Sequence, residues 1–220
     1  NHQIQKTIKD NKSKKVFFNK DYNFTSQENE FFYFEDEFGT IKLPRPNLLG
    51  EFQLENISTA IATIRQLTDF KISNDHIKDG ISKIESIARL QEIKEGKLKD
   101  LVKNNQLYVD GSHNPLGASV LNQHLRSLNC KKHIILGMMA NKDHNKYMSY
   151  FKDIETLTTI DIPNQPNAIK GIDLKNKINN FSNIEYKNSI EEAISSIRIR
   201  DNDIILITGS LYLAGEVLNL

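Results

Sequence analysis

Between residues 106 and 208 the sequence passes through five short apolar or β-branched segments separated by stretches with helical spacing, and this alternation constrains the fold most. Strands are expected at 106–109, 133–136, 156–160, 183–186 and 203–208, with helices near 115–128, 145–152, 171–179, 189–198 and 211–219. Short connections between alternating elements demand a parallel sheet with helices on both faces, joined by right-handed crossovers. Ile204, Ile205, Leu206 and Ile207 are apolar without a break, as a strand buried on both faces requires. Ser189 and Glu192 have capping-box spacing at one helix start.

The first of these units holds the most chemistry. Leu107 to Val109 reads as a buried strand, and Asp110-Gly111 breaks it. Asn114 suits a helix cap, and Pro115 fits the first helical position, where its missing N–H costs nothing. Leu116, Val120, Leu121, Leu125 and Leu128 then repeat with helical spacing. Asp110 and His113 therefore fall on a strand-to-helix turn, beside backbone N–H groups that favour anions. A helix cap next to one surface histidine is the plain alternative.

Two further strand ends carry polar or flexible residues, Gly137 to Asp143 and Thr208-Gly209-Ser210. In a parallel sheet all three turns lie on one edge and line one crevice. Lys142 and Asp143 also suit a simple pair at a helix start. His2, His76, His124, His133 and His144 form no ligand-spaced set and read as ordinary surface or core residues.

Residues 1 to about 50 lack helical periodicity, and Val16-Phe17-Phe18, Phe31 to Phe34 and Thr40 to Leu43 read as short strands. The acids between the last two suit a solvated tip better than a cation site. Gly50 to Asn56 leads into a helix buried through Ile57, Ala60, Ile61, Ile64 and Leu67. Ser73 caps a second helix carrying Ile77, Ile81 and Ile84. Two helices after a small sheet form an α+β part extending to about residue 92. Arg89 lies in Ile87-Ala88-Arg89-Leu90-Gln91, where an ion pair and a ligand contact are equally open.

Composition removes several classes of function. With 29 basic and 28 acidic residues, net charge +1, nothing marks a nucleic-acid surface or a polybasic membrane patch. The basic stretch Lys6 to Lys15 fits a solvated segment about as well as it fits a partner contact. Cys130 is the single cysteine, which excludes an intrachain disulfide and makes a cytoplasmic setting the expectation. No apolar run reaches membrane-span length.

Taken together, the motifs resemble a known family. Asp110-Gly111-Ser112-His113-Asn114-Pro115 is similar to the D-x-A-H-N-P signature of the Mur ligase C-terminal domain. Gly50 to Asn56 resembles G-x-H-Q-x-x-N, Ala88 to Gln91 resembles G-R-L-Q, and Gly137 to Asp143 resembles G-x-x-x-x-K-D. With Thr208-Gly209-Ser210-Leu211-Tyr212 beside T-G-S-L-Y, these point to the folylpolyglutamate synthase and dihydrofolate synthase branch. The resemblance implies a Rossmann-like C-terminal domain over residues 93–220, preceded by the α+β tail of a central domain over 1–92.

It also implies a reaction. Such ligases use ATP and magnesium to phosphorylate a carboxylate of folate or dihydropteroate, and L-glutamate then attacks the acyl phosphate to give an amide. By resemblance, Asn56 and Arg89 contact the nucleotide and Asp110 helps hold ATP. His113 approaches the phosphates on domain closure, and Lys142 and Asp143 lie on the substrate side as the remaining catalytic candidates. Two residues depart from the pattern: Phe52 stands in the histidine position, and Ala88 in a glycine position that is strained if φ is positive.

No G-x-x-x-x-G-K-[ST] or G-x-x-G-K-[GST] loop occurs. In the family that loop and most magnesium ligands lie in an N-terminal ATPase domain. The chain therefore reads as a C-terminal portion expected to have little ligase activity alone, or as one half of a split enzyme whose ATPase domain is a separate chain. A non-catalytic relic or a reused nucleotide-binding module are the alternatives.

Overall fold

The computed structural model describes residues 2–26, 30–48, 50–85 and 87–220. The chain forms two compact units, Asn1–Glu85 and Ser86–Leu220.

In the first unit, α1 (His2–Asp10) precedes a three-stranded antiparallel sheet of β1 (Tyr22–Thr25), β2 (Phe31–Asp36) and β3 (Gly39–Pro44). Alternation explains the sheet: Phe32, Phe34, Ile41 and Leu43 are buried, whereas Glu35 and Lys42 point outward. The helices α2 (Phe52–Arg65) and α3 (Asn74–Ser82) supply Leu54, Ile57, Ile61, Ala62, Ile77 and Ile81 to the same core. The Ser73 hydroxyl accepts from the His76 amide and caps α3.

Several expectations fail in this unit. Residues 2–10 are helical, and with only Ile4 and Ile8 at helical spacing the nine-residue segment is too short for a periodicity signal. Val16–Phe18 is not a strand beyond a single bridge from Phe18 to Tyr22. Ala60 and Leu67 are exposed, whereas the expected Ile57 and Ile61 are buried in a stripe of α2 that also takes in Gln53, Leu54, Ser58 and Ala62. The acidic turn is not simply solvated. Asp36 meets Arg65 at 3.1 Å, almost out of water, and Glu37 meets Lys14 at 2.9 Å.

The second unit is a six-stranded sheet flanked by helices. In chain order it contains β4 (Gln91–Glu92), α4 (Lys97–Val102), β5 (Gln106–Asp110), α5 (Pro115–Ser127), β6 (Lys132–Leu136) and α6 (His144–Ser149). Then follow β7 (Thr156–Ile160), α7 (Gly171–Lys177), β8 (Ile184–Lys187), α8 (Ile190–Ser196), β9 (Ile204–Thr208) and α9 (Leu211–Leu218). The strand order is β4-β5-β9-β6-β7-β8, parallel except for β4, which runs antiparallel to β5. The expected α/β class and the five main strands therefore stand.

Alternate residues along the strands feed two cores. Tyr108, Ile134, Leu136, Leu157, Ile204 and Leu206 pack with Leu121, Leu125, Tyr147 and Leu174 of α5, α6 and α7. Leu107, Val109, Ile135, Ile205 and Ile207 pack with Leu98, Ala193, Ile194 and Leu213 of α4, α8 and α9. The last strand, β9, inserts between β5 and β6, so every residue from Ile204 to Thr208 is buried. This insertion reverses the order of connection at the sheet centre, the place where open α/β sheets form a crevice.

Two short elements, β4 and α4, are not legible in the sequence, since two and six residues are too few for a periodicity signal. The change of pattern puts the division near residue 92. The observed one precedes the 88–92 stretch, because Gln91 and Glu92 pair with Val109 and Tyr108. Leu116, expected on the buried face of α5, is 75% exposed, and Ala118 takes its place in the core.

Candidate functional site

The β5 turn is built around Asp110. Its side chain is 3% exposed, yet both oxygens are engaged: Oδ1 accepts from the Ser112 amide at 2.8 Å and Oδ2 from the Leu90 amide at 2.7 Å. The first bond closes a tight turn after the strand, and the second ties down the Ala88–Gln91 stretch. Gly111 N–H donates to the Ala88 carbonyl at 2.8 Å, adding a third tie. Asn114 caps α5 by accepting from the Gly117 amide, with Pro115 at the first helical position, as its chemistry favours.

His113 sits half-buried between this turn and the cap, its Nδ1 at 3.2 Å from the Gly111 carbonyl. That contact holds the ring by one nitrogen. Arg89 is exposed and enters no ion pair among the described residues, so the salt-bridge reading of this residue is not met.

The β9 corner joins the β5 corner directly. Asp110 and Thr208 are register partners, and the Leu211 side chain covers Gly111 so closely that a Cβ there would collide with it. Gly209 has φ +109°, and a Cβ on it would lie 2.6 Å from the Gly137 carbonyl oxygen. Gly137 in turn donates to the Thr208 carbonyl. The turns after β5, β9 and β6 are thus contiguous along one sheet edge, as the parallel arrangement required.

Lys142 and Asp143 lie further along the β6 turn. Asp143 accepts from the Lys146 amide at 3.1 Å and caps α6. No ion pair joins it to Lys142 among the described residues, so the expected pairing between them is replaced by a cap. Lys142 is partly buried. The buried His144 shapes the same loop, its Nε2 meeting the Met139 carbonyl at 3.0 Å. Asn56 is a residue of the first unit, exposed on α2, where its amide donates to Gln53 Oε1 at 3.2 Å. Phe52, the departure in the same motif, lays its ring against Gly50 where a Cβ would sit, and Gly50 also has a φ of +96°.

Sequence reading misses Tyr147. It is fully buried on α6, and its hydroxyl meets Thr208 Oγ1 at 2.8 Å. Burial pushes its phenol far above the ordinary tyrosine range, the nearby Asp110 charge adding to this against the opposing Thr208 bond. It is therefore a neutral brace beneath the crevice. Tyr147→Phe should cost about 1–2 kcal/mol in urea denaturation, the penalty for stranding the Thr208 hydroxyl. No alternation or motif marks such a residue, since its helical position reads as core.

The Ala88 departure has a direct structural consequence. Its φ is +56°, and Leu90 has φ +49°, both in the left-handed region that costs non-glycine residues about 1–2 kcal/mol. Ala88→Gly should relieve that strain while adding the chain entropy that glycine loses on folding, about 0.5–1 kcal/mol. The methyl it removes is buried in the core, and losing it costs about 0.8 kcal/mol. The expected net result is a change of less than about 1 kcal/mol in thermal or chemical denaturation. A loss above about 1.5 kcal/mol would mean that the turn is not strained.

Elsewhere in the unit, His133 is buried at the opposite end of β6, bonded to Thr156 at 2.9 Å and Asp203 at 3.3 Å. It serves the core, as a lone buried histidine should. No helix among the described residues is long and apolar enough to cross a membrane.

Comparison with known proteins places these features in context. The family model described as "Mur ligase, glutamate ligase domain" matches residues 88–211. The folylpolyglutamate synthase of Lacticaseibacillus casei is 26% identical over 191 residues, covering 84% of this chain and 42% of its own. Escherichia coli FolC in complex with DHPP and ADP aligns over 99% of this chain and 50% of its own, with TM-score 0.79 at 20% identity. A bifunctional folylpolyglutamate synthase/dihydrofolate synthase from Yersinia pestis, complexed with AMPPNP and Mn ion, gives TM-score 0.79 at 16% identity over 99% of this chain and 50% of its own. The chain thus spans about half the length of the solved chains it matches. At these identities the structural likeness is one of fold.

Proposed function

Because this chain belongs to the Mur ligase family through its glutamate ligase domain, we propose that it works as part of an ATP-dependent ligase of the folylpolyglutamate/dihydrofolate synthase type. The reaction adds L-glutamate to a folate or dihydropteroate carboxylate in the cytoplasm. ATP supplies the phosphoryl group that turns the carboxylate into an acyl phosphate. The glutamate amine then forms the amide bond as inorganic phosphate leaves.

The observation that carries this reading is the contiguity of the β5, β6 and β9 turns at one sheet edge, with Arg89 exposed beside them. Three features there suit a phosphate-bearing ligand. Arg89 offers a fixed positive charge, and its fork of donors matches phosphate oxygens. His113 donates from Nδ1 to the Gly111 carbonyl and keeps Nε2 clear of it, a nitrogen that donates to a phosphate oxygen when the ring carries its second proton. At the first turn of α5 the Leu116 N–H and the positive end of the helix face the same edge, Pro115 having no N–H and Asn114 taking that of Gly117. Charge moving between phosphate oxygens is stabilised by such preorganised donors where water is excluded.

Magnesium is expected with ATP, but among the described residues no group of three or more His, Cys, Asp or Glu side chains is placed to hold a metal. No residue here is assigned to the ion. Lys142 is proposed on the substrate side, offering its ammonium to a carboxylate. Asp143, engaged as a helix cap, is proposed to set the loop that carries Lys142. Asn56 is proposed as a nucleotide contact through its exposed amide. An ATPase domain, on the same or a separate chain, is the proposed partner.

Titration of ADP with magnesium into the 220-residue chain tests the reading. Arg89→Ala and His113→Ala should each weaken binding about tenfold, roughly 1.4 kcal/mol. Binding of equal strength by wild type and both variants would remove the proposed site. One observation favours a second reading, a nucleotide-binding module without ligase chemistry. The Phe52 ring fills the space over Gly50 and neither donates nor accepts a hydrogen bond. ATP- and glutamate-dependent amide formation in the presence of an ATPase-domain partner would exclude that module.

A further inference from the structure

The Ala88–Gln91 stretch holds two non-glycine residues in the left-handed conformation, one on each side of Arg89. Strained backbone persists only where its surroundings over-determine it. Four groups do so here. Gln91 Oε1 accepts from the Ala88 amide at 2.9 Å, and Asp110 Oδ2 accepts from the Leu90 amide at 2.7 Å. Gly111 donates to the Ala88 carbonyl, and Gln91 is itself fixed opposite Val109 in the β4–β5 pair.

The side chains show what this conformation achieves. Ala88 is buried in the core on the α4, α8 and α9 face of the sheet, whereas Leu90 is buried in the core on the α5, α6 and α7 face. The turn therefore straddles the sheet beside the end of β5, anchored on both sides. Arg89, between the two anchors, is left exposed.

We propose that Asp110 and Gln91 form a clamp that holds this turn and thereby presents the Arg89 guanidinium to the phosphates of the bound nucleotide. The inference rests on the nucleotide reading above. It makes both residues positioning residues, acting through the backbone on either side of Arg89. Asp110 in particular has each carboxylate oxygen committed to a buried amide, so its role here is to shape the turn. Gln91 gains a role that its place in a short edge strand does not suggest.

Two measurements on the full chain test this. In the first, amide hydrogen exchange is followed without ligand. Gln91→Leu, which keeps the size but removes the acceptor, should speed exchange at Ala88 and Leu90 at least tenfold while leaving the β9 amides unchanged. Gln91→Glu, which keeps an accepting oxygen, should restore protection. Unchanged exchange at both amides in Gln91→Leu would overturn the clamp.

In the second, ADP with magnesium is titrated into wild type, Gln91→Leu, Arg89→Ala and the double variant. Gln91→Leu should weaken binding about fivefold and Arg89→Ala about tenfold, with the double variant no worse than Arg89→Ala alone. Losses that multiply would show that Gln91 does not act through Arg89, and would overturn the proposal while leaving the nucleotide site intact. A wild-type chain that takes up no ADP would overturn the nucleotide reading itself, and the presentation of Arg89 with it.

Discussion

Asp110→Ala is expected to destabilise the second unit by about 2–4 kcal/mol, because it strands two buried backbone donors together. The Leu90 and Ser112 amides lose their acceptors at a site only 3% exposed, where water does not replace them. Each stranded donor costs about 1–3 kcal/mol. Asp110→Asn retains one acceptor oxygen but turns an amide group toward the other N–H, so an intermediate loss is expected. Urea denaturation followed by circular dichroism measures both. A loss below about 1 kcal/mol for the alanine variant would mean that the turn relaxes to re-pair its amides. Because the turn carries Arg89, nucleotide affinity should fall even at temperatures where the variant is fully folded.

Gly209→Ala is expected to cost about 2–5 kcal/mol for a single added methyl. With φ at +109° the position lies outside the conformations an L side chain adopts readily, a strain of about 1–3 kcal/mol. The new Cβ would also lie 2.6 Å from the Gly137 carbonyl and 2.8 Å from the Leu136 and Met138 side chains. Relieving that overlap forces the β9 and β6 turns apart, which adds about 1–3 kcal/mol. The crevice edge moves with them, so ADP binding should weaken as well. Gly215→Ala provides the control. Gly215 lies on the exposed side of α9, where a new methyl would meet no atom within 4 Å, and alanine there should stabilise by up to about 1 kcal/mol. Equal effects at the two glycines would show that the contact between the turns does not exist.

These two positions also show where sequence reading reaches and where it stops. Gly209 is legible as a turn residue at a strand end, but its contact with Gly137 is not, because the two lie 72 positions apart, with two strands between them before β9 returns to the sheet centre. Asp110 is legible as a polar residue ending an apolar strand. That its carboxylate is consumed by two amides, one of them 20 residues upstream, depends on β4 folding back along β5. Ala88 is marked by its glycine-like place as strained if its φ is positive, and the positive φ is observed. Leu116 fails because helical spacing identifies a face without fixing its edges. At the first turn of α5 the apolar stripe runs off the sheet, and Leu116 reaches solvent.

What the sequence determined by itself is the alternation of five strands with helices, and the positions of three polar turns at strand carboxyl ends. Both are local properties, set by side-chain periodicity and by turn residues such as Gly, Asn and Pro. Only the tertiary structure decided that β9 enters between β5 and β6, that Tyr147 braces Thr208 from below, and that Arg89 is held out between two left-handed residues. Those outcomes depend on which buried amide meets which distant oxygen once two cores close over the sheet. No stretch of the chain carries that information alone.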